Sequence, residues 1–123
     1  MGTSAKSVVE SITDVRDNFG NIAVLVGVPL KRINFGRLYD SGLLGAVIVS
    51  DESLEYADET GTLEIATYDF DDPDNRVDYL LRSALNRHGV ALGRRRNGAV
   101  FVTGLSPIAL MFVRGLNEGA IAA

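Results

Sequence analysis

The amino-acid sequence predicts a single α+β domain over residues 1–123. Its expected parts are an N-terminal helix, an antiparallel sheet with a long acidic hairpin, a central capped helix, a second hairpin and a C-terminal helix. Three observations lead there. The 123 residues are one domain's worth of chain. Hydrophobic residues make up 46% and charged residues 23%, the balance of a chain that buries a core rather than one that stays disordered. Apolar residues also recur at helical spacing in some segments and at strand spacing in others, with capping and turn residues between them.

Taken in order, Ser7 and Glu10 fit a capping box, in which each side chain satisfies a backbone donor at a helix start. Val8, Val9, Ile12, Val15 and Phe19 follow at helical spacing, and Asn18 and Gly20 suit its end, so a helix is predicted over 7–18. Ile22 to Val28 is short, β-branched and closed by Pro29, the signature of a buried strand. Between Pro29 and Leu44 the pattern is poor. Ile33, Leu38 and Leu43 are spaced for a short helix, but Gly36 and Gly42 each weaken one by about 1 kcal/mol relative to alanine.

A strand is expected to begin at Ala46 and run through Leu54 and Tyr56. Asp58-Glu59-Thr60-Gly61 has turn composition, and a return strand over 62–70 would place Leu63 and Ile65 on the face of Leu54 and Tyr56. The acidic tip of this hairpin would discourage edge-to-edge aggregation. Asp72-Pro73 marks the start of the central helix, whose apolar face is Val77, Leu80, Leu81, Ala84 and Leu85. Asp78 and Arg82 pair at i,i+4, and His88 and Gly89 close the helix. Asn97-Gly98 is a strong two-residue turn signal, and predicts Arg96 opposite Ala99, Arg95 opposite Val100 and Arg94 opposite Phe101. Ser106-Pro107 opens a last helix in which Ile108 to Val113 is apolar on every side. Such a helix is either central to the core or covered by another chain.

Charge is segregated along the chain. The net formal charge is −4, yet residues 51–80 carry eleven acidic groups against Arg76, while residues 81–123 carry six arginines against Glu118. This segregation fits either a solvated acidic segment with exposed arginines or complementarity between copies or toward a polyanion.

The chemistry within reach is limited. With one histidine and no cysteine, Cys–His catalysis and the usual zinc sites are excluded. His88, at a predicted helix end, reads as a cap that favours the helix dipole rather than as a catalytic base. No glycine-rich phosphate loop is present. Asp69, Asp71, Asp72 and Asp74 resemble ligands for a hard cation, but their spacing lacks the glycine and distal glutamate of a calcium loop, and helix capping accounts for Asp72 and Asp74. Neither metal nor cofactor is therefore expected. The best candidate binding site is the turn Arg94-Arg95-Arg96-Asn97-Gly98, suited to nucleic-acid phosphates or to an acidic neighbour, and equally read as a solvated turn. With aromatics at 7% and only Phe101 close to that turn, base stacking there has little support. No apolar run approaches the roughly 18 residues that span a bilayer. The N-terminus also lacks a signal peptide's apolar core, so the expected location is the cytoplasm or a virion.

The stretch AVIVSDESLEYADETGTLEIATYDFDDPDNRVDYLLRSAL, preceded by an amphipathic helix, reads strand, projecting hairpin, strand, capped helix. In that order it resembles the small tail-terminator and head–tail connector subunits of tailed phages. The resemblance covers about a third of the chain and departs at the Ser106-Pro107 helix, where a closing strand would be expected. It implies a non-enzymatic ring subunit. The same element order is also close to a split-βαβ, ferredoxin-like plan if 30–42 is helical.

The leading expectation is thus a non-enzymatic structural subunit of a homo-oligomer. Arg94, Arg95 and Arg96 would meet Glu55, Asp58 and Glu59 of another copy, and Met111 and Phe112 of the last helix would lie at a contact. The alternative is a nucleic-acid-binding protein that uses the Arg94–Arg96 turn, with Arg87 and Lys31 as additions.

Overall fold

The structure, a computed structural model, describes residues 5–18, 21–70, 76–93 and 99–116. In chain order the elements are helix α1 (Ala5–Asn18), strand β1 (Ile22–Val28), a 3-10 turn (Leu30–Arg32), α2 (Phe35–Asp40), β2 (Gly45–Ser50) and α3 (Asp51–Thr60). They continue with β3 (Leu63–Asp69), α4 (Arg76–Arg87), β4 (Ala99–Val102) and α5 (Pro107–Arg114). This is an α+β protein with a helix toward each end of the chain, and the expected class holds.

The four strands form one sheet in the order β1-β2-β3-β4. It is mixed rather than antiparallel. β1 runs parallel to β2, with Ile22 opposite Gly45 and Val26 opposite Val49. β3 is antiparallel to both β2 and β4, with Ile48 opposite Ala66 and Leu63 opposite Val102. The parallel pair follows from the connection through the 3-10 turn and α2, which is long enough to return the chain to the same end of the sheet. Because β1 and β2 are direct neighbours, the split-βαβ plan does not apply.

The predicted acidic hairpin over 46–70 is replaced by β2, α3 and β3. The Ser50 side chain accepts a hydrogen bond from the Ser53 N–H at 3.0 Å, which caps the start of α3. Asp51 and Glu52 occupy the first turn, where their charge favours the helix dipole. Leu54 and Ala57, three residues apart, are the buried positions, while Tyr56 turns outward. Gly61, at φ 73°, ends the helix in the left-handed conformation, and its N–H bonds the Ala57 carbonyl at 2.8 Å. The turn composition at 58–61 therefore marks a helix end, and the acidic residues lie on a helix surface.

Two apolar clusters sandwich the sheet. On one face Val24, Val26, Val47, Val49, Leu63, Ile65, Val100 and Val102 meet the buried stripes of α1, α3, α4 and α5. On the other face Ala23, Leu25, Ala46 and Ile48 are covered by Ile33 and Leu38, with Phe35, Leu43 and Phe70 at the margin. Strands buried on both faces read as unbroken apolar runs, which is why β1 and β2 stand out in the sequence. The residues of α4 predicted to face the core do so, with Leu80 partly buried at its margin, and Arg82 Nε lies 3.2 Å from Asp78 Oδ2. Gly89, at φ 73°, follows the helix as expected.

The second hairpin is partly visible. Leu92 bridges to Val102, and the Gly93 N–H bonds the Phe101 carbonyl at 2.8 Å. The register expected from an Asn97-Gly98 turn would have set Leu92 against Thr103, so the pairing is displaced by one residue. The arginine pairings themselves, with Arg94–Arg96, Asn97 and Gly98, lie outside the described residues. So do Phe19, Gly20, Asp71, Asp72, Pro73 and Asp74.

Candidate functional site: the outward face of the C-terminal helix

Ser106 sets the direction of α5. Its Oγ accepts from the Ala109 N–H at 3.1 Å, and Pro107 takes the first helical position, where no N–H is needed. From that start Ala109, Leu110 and Val113 fall on one side and are buried against the core shared with α1 and α3. Ile108, Met111 and Phe112 fall on the other side and are 66%, 69% and 60% exposed. Spaced at i, i+3 and i+4, they form one apolar stripe, and Met111 and Phe112 continue into a shallow depression floored by Gly115. The expectation of a core helix thus holds for one side of α5 only, and the other side is exposed. The segment is core along Ala109, Leu110 and Val113, and uncovered along Ile108, Met111 and Phe112.

Arg114 fixes the end of the helix. Its guanidinium forks onto both carboxylate oxygens of Asp58 on α3, with Nη1 at 3.0 Å from Oδ1. These hydrogen bonds hold the Asp58 carboxyl below its ordinary range and push the guanidinium's own pKa up. Asp58 therefore has a partner in its own chain, a pairing that sequence reasoning missed because Arg114 stands 56 residues away. Glu55 and Glu59 are exposed on the same helix. Arg94, Arg95 and Arg96, their expected counterparts, lie outside the described residues.

The other candidates have structural roles. His88 Nε2 lies 2.5 Å from Asp14 Oδ2, and Nδ1 lies 3.2 Å from Glu10 Oε2, so the ring ties the end of α4 to α1. Arg87 reaches the same Asp14 at 4.0 Å. Asp69 accepts the Val77 N–H at 2.7 Å and so satisfies a free donor at the start of α4. Among the described residues no three His, Asp or Glu side chains converge in a way that would hold a metal ion. Between α3 and α5 a cleft of about 170 Å³ is lined by Ala57, Asp58, Leu105 and Leu110. That is smaller than the roughly 300 Å³ at which small-molecule pockets begin. No described helix is long and apolar enough to cross a membrane.

What the fold and this face define is an α+β protein with an uncovered apolar helix surface. Comparison with known proteins yields no matching family model, no matching curated protein and no matching solved structure.

Proposed function

We propose that the protein is a non-enzymatic subunit of a homo-oligomeric assembly, and that copies meet through the Ile108, Met111 and Phe112 face of α5. The observation that carries this reading is that three large apolar side chains, each at least 60% exposed, share one side of one helix. Water contact with such a stripe costs free energy in proportion to its area, roughly 25 cal/mol per Å², and contiguous stripes of this kind mark association surfaces. A second copy supplies the same apolar chemistry, so a symmetric contact is self-complementary. Glu55 and Glu59 are exposed on α3, which packs against α5, and supply charge suited to orienting that contact.

A place in a phage tail or head–tail connector is the narrower form of the proposal. Its support is the amphipathic α1 and the element order around β2, β3 and α4. The projecting hairpin that prompted it is absent, because α3 stands there. Light scattering on the purified chain at physiological salt tests the broader claim. Particles several times the 13.2 kDa chain mass are expected. A monomer persisting at high micromolar concentration would contradict self-association through α5.

A further inference from the structure

Leaving aside Lys6 and Arg76, the lysine, arginine and histidine side chains of the described residues divide into two groups. Arg16, Arg82, Arg87, His88 and Arg114 each lie against a carboxylate of their own chain. Lys31, Arg32 and Arg37 have no such partner, and all three are exposed. The chain holds 16 acidic residues against 12 lysines and arginines, so acceptors are not scarce. Three unpaired cations within seven residues of the 3-10 turn and α2 stand apart from that pattern. Asp40 ends α2, Glu64 lies on β3, and Glu52 Oε2 already accepts from the Leu30 N–H at 3.3 Å.

Aromatic rings occupy the same side of the sheet. Phe35 packs on Tyr68 with ring centroids 4.8 Å apart, and Tyr39 meets Phe70 edge-on at 6.1 Å. Tyr39 and Tyr68 remain 49% and 39% exposed. The four longer helices all pack on the opposite side, so α2 alone among the described helices covers this one, over β1 and β2. Phe101, on β4, faces outward opposite Glu64 beyond that cover.

We propose that this outer face binds single-stranded nucleic acid, with Lys31, Arg32 and Arg37 on phosphates and unpaired bases stacked on Tyr68 and Tyr39. Cations track the backbone and exposed rings accept base faces, which a duplex does not offer. The surface lies across the sheet from α5, so it is separable from self-association.

Fluorescence anisotropy with a labelled oligothymidylate of about 15 nucleotides, long enough for a single site, tests it. Binding is expected at about 50 mM salt. Three phosphate contacts give a slope near −2 on a single strand, so affinity should fall about 20-fold at about 200 mM. Replacing Lys31, Arg32 and Arg37 together by alanine should abolish binding. Tyr68→Ala should weaken it by about tenfold or more, with Tyr39→Ala as the second probe if circular dichroism shows that the first misfolds. Phe112→Asp, which targets α5, should bind as the parent does. No binding at the lower salt would overturn the proposal. So would equal competition by inorganic polyphosphate with no effect of either tyrosine, which would mark a site that reads charge alone. Loss of binding on replacing Arg94, Arg95 and Arg96 by alanine, with the Lys31, Arg32 and Arg37 variant unaffected, would move the site elsewhere and overturn it as well.

Discussion

Leu110 and Met111 are consecutive in the chain and opposite in environment, and substituting each by alanine tests how α5 is oriented. Leu110 is 4% exposed inside the main core, whereas Met111 is 69% exposed. Truncating a buried leucine removes its transfer free energy and leaves a cavity, which together cost about 3–4 kcal/mol. For a chain of this length each kcal/mol lowers the melting temperature by about 3–5 °C, so Leu110→Ala should melt about 10–15 °C below the parent. Met111→Ala in dilute solution should stay within about 0.5 kcal/mol of the parent, as surface changes do. At higher concentration Met111→Ala should lose whatever stability the assembly adds by mass action, whereas the Leu110→Ala deficit should persist at every concentration. Thermal melts followed by circular dichroism across a dilution series measure both effects. Equal loss from the two substitutions in dilute solution would mean that Met111 is a core residue, and the reasoning about α5 would fail.

Other consequences concern the sheet and α3. A Cβ at Gly45 would sit 2.0 Å from the Tyr68 carbonyl oxygen and 2.6 Å from Val77 Cγ2, so Gly45→Ala must push β2 from β3. It should cost at least the ~1–3 kcal/mol typical of overpacking, and wild-type urea stability would refute that close approach. Ser50→Ala removes the cap of α3 and should cost about 1 kcal/mol in the same assay; an unchanged midpoint would speak for a strand through 50–56 instead. The Asp58 carboxyl, held below its ordinary range by Arg114, binds a proton less readily folded than unfolded. Its contribution is therefore present above the ordinary carboxylate range and lost as pH falls through the depressed folded value. Asp58→Asn should flatten the acid limb of a stability–pH profile slightly, the pair being exposed, and a steeper limb in the variant would contradict the assignment.

The elements that were legible in the sequence are those whose local signals agree with their burial. α1, β1 and α4 carry an apolar stripe or run of the right period, and Ser106-Pro107 marks α5 without help from the rest of the chain. α3 is hidden in the sequence because Leu54 and Tyr56 alternate as a strand would. The deciding signals, Ser50 as a cap and Leu54 with Ala57 at three-residue spacing, are spread over eight positions. Strand order and the parallel pairing of β1 with β2 depend on how a weak segment, 30–42, covers the sheet, and no short pattern encodes that. The apolar character of α5 was evident from sequence. Which side of it meets the core is decided by the cap at Ser106 and by contact with α1 and α3. The approach of Phe35 to Tyr68, which singles out the outer face, is a tertiary contact across 33 positions of chain.

The claim that copies assemble through α5 is tested most directly by Phe112→Asp, followed by size-exclusion chromatography with light scattering and by far-ultraviolet circular dichroism. Because Phe112 is 60% exposed, a carboxylate there meets water in the separated chain and an apolar partner in the assembly. Assembly through α5 requires that the parent elute as an oligomer and the variant as a folded 13.2 kDa monomer with the parent's spectrum. A variant that loses its fold together with its assembly, or a parent that is already monomeric, would contradict it.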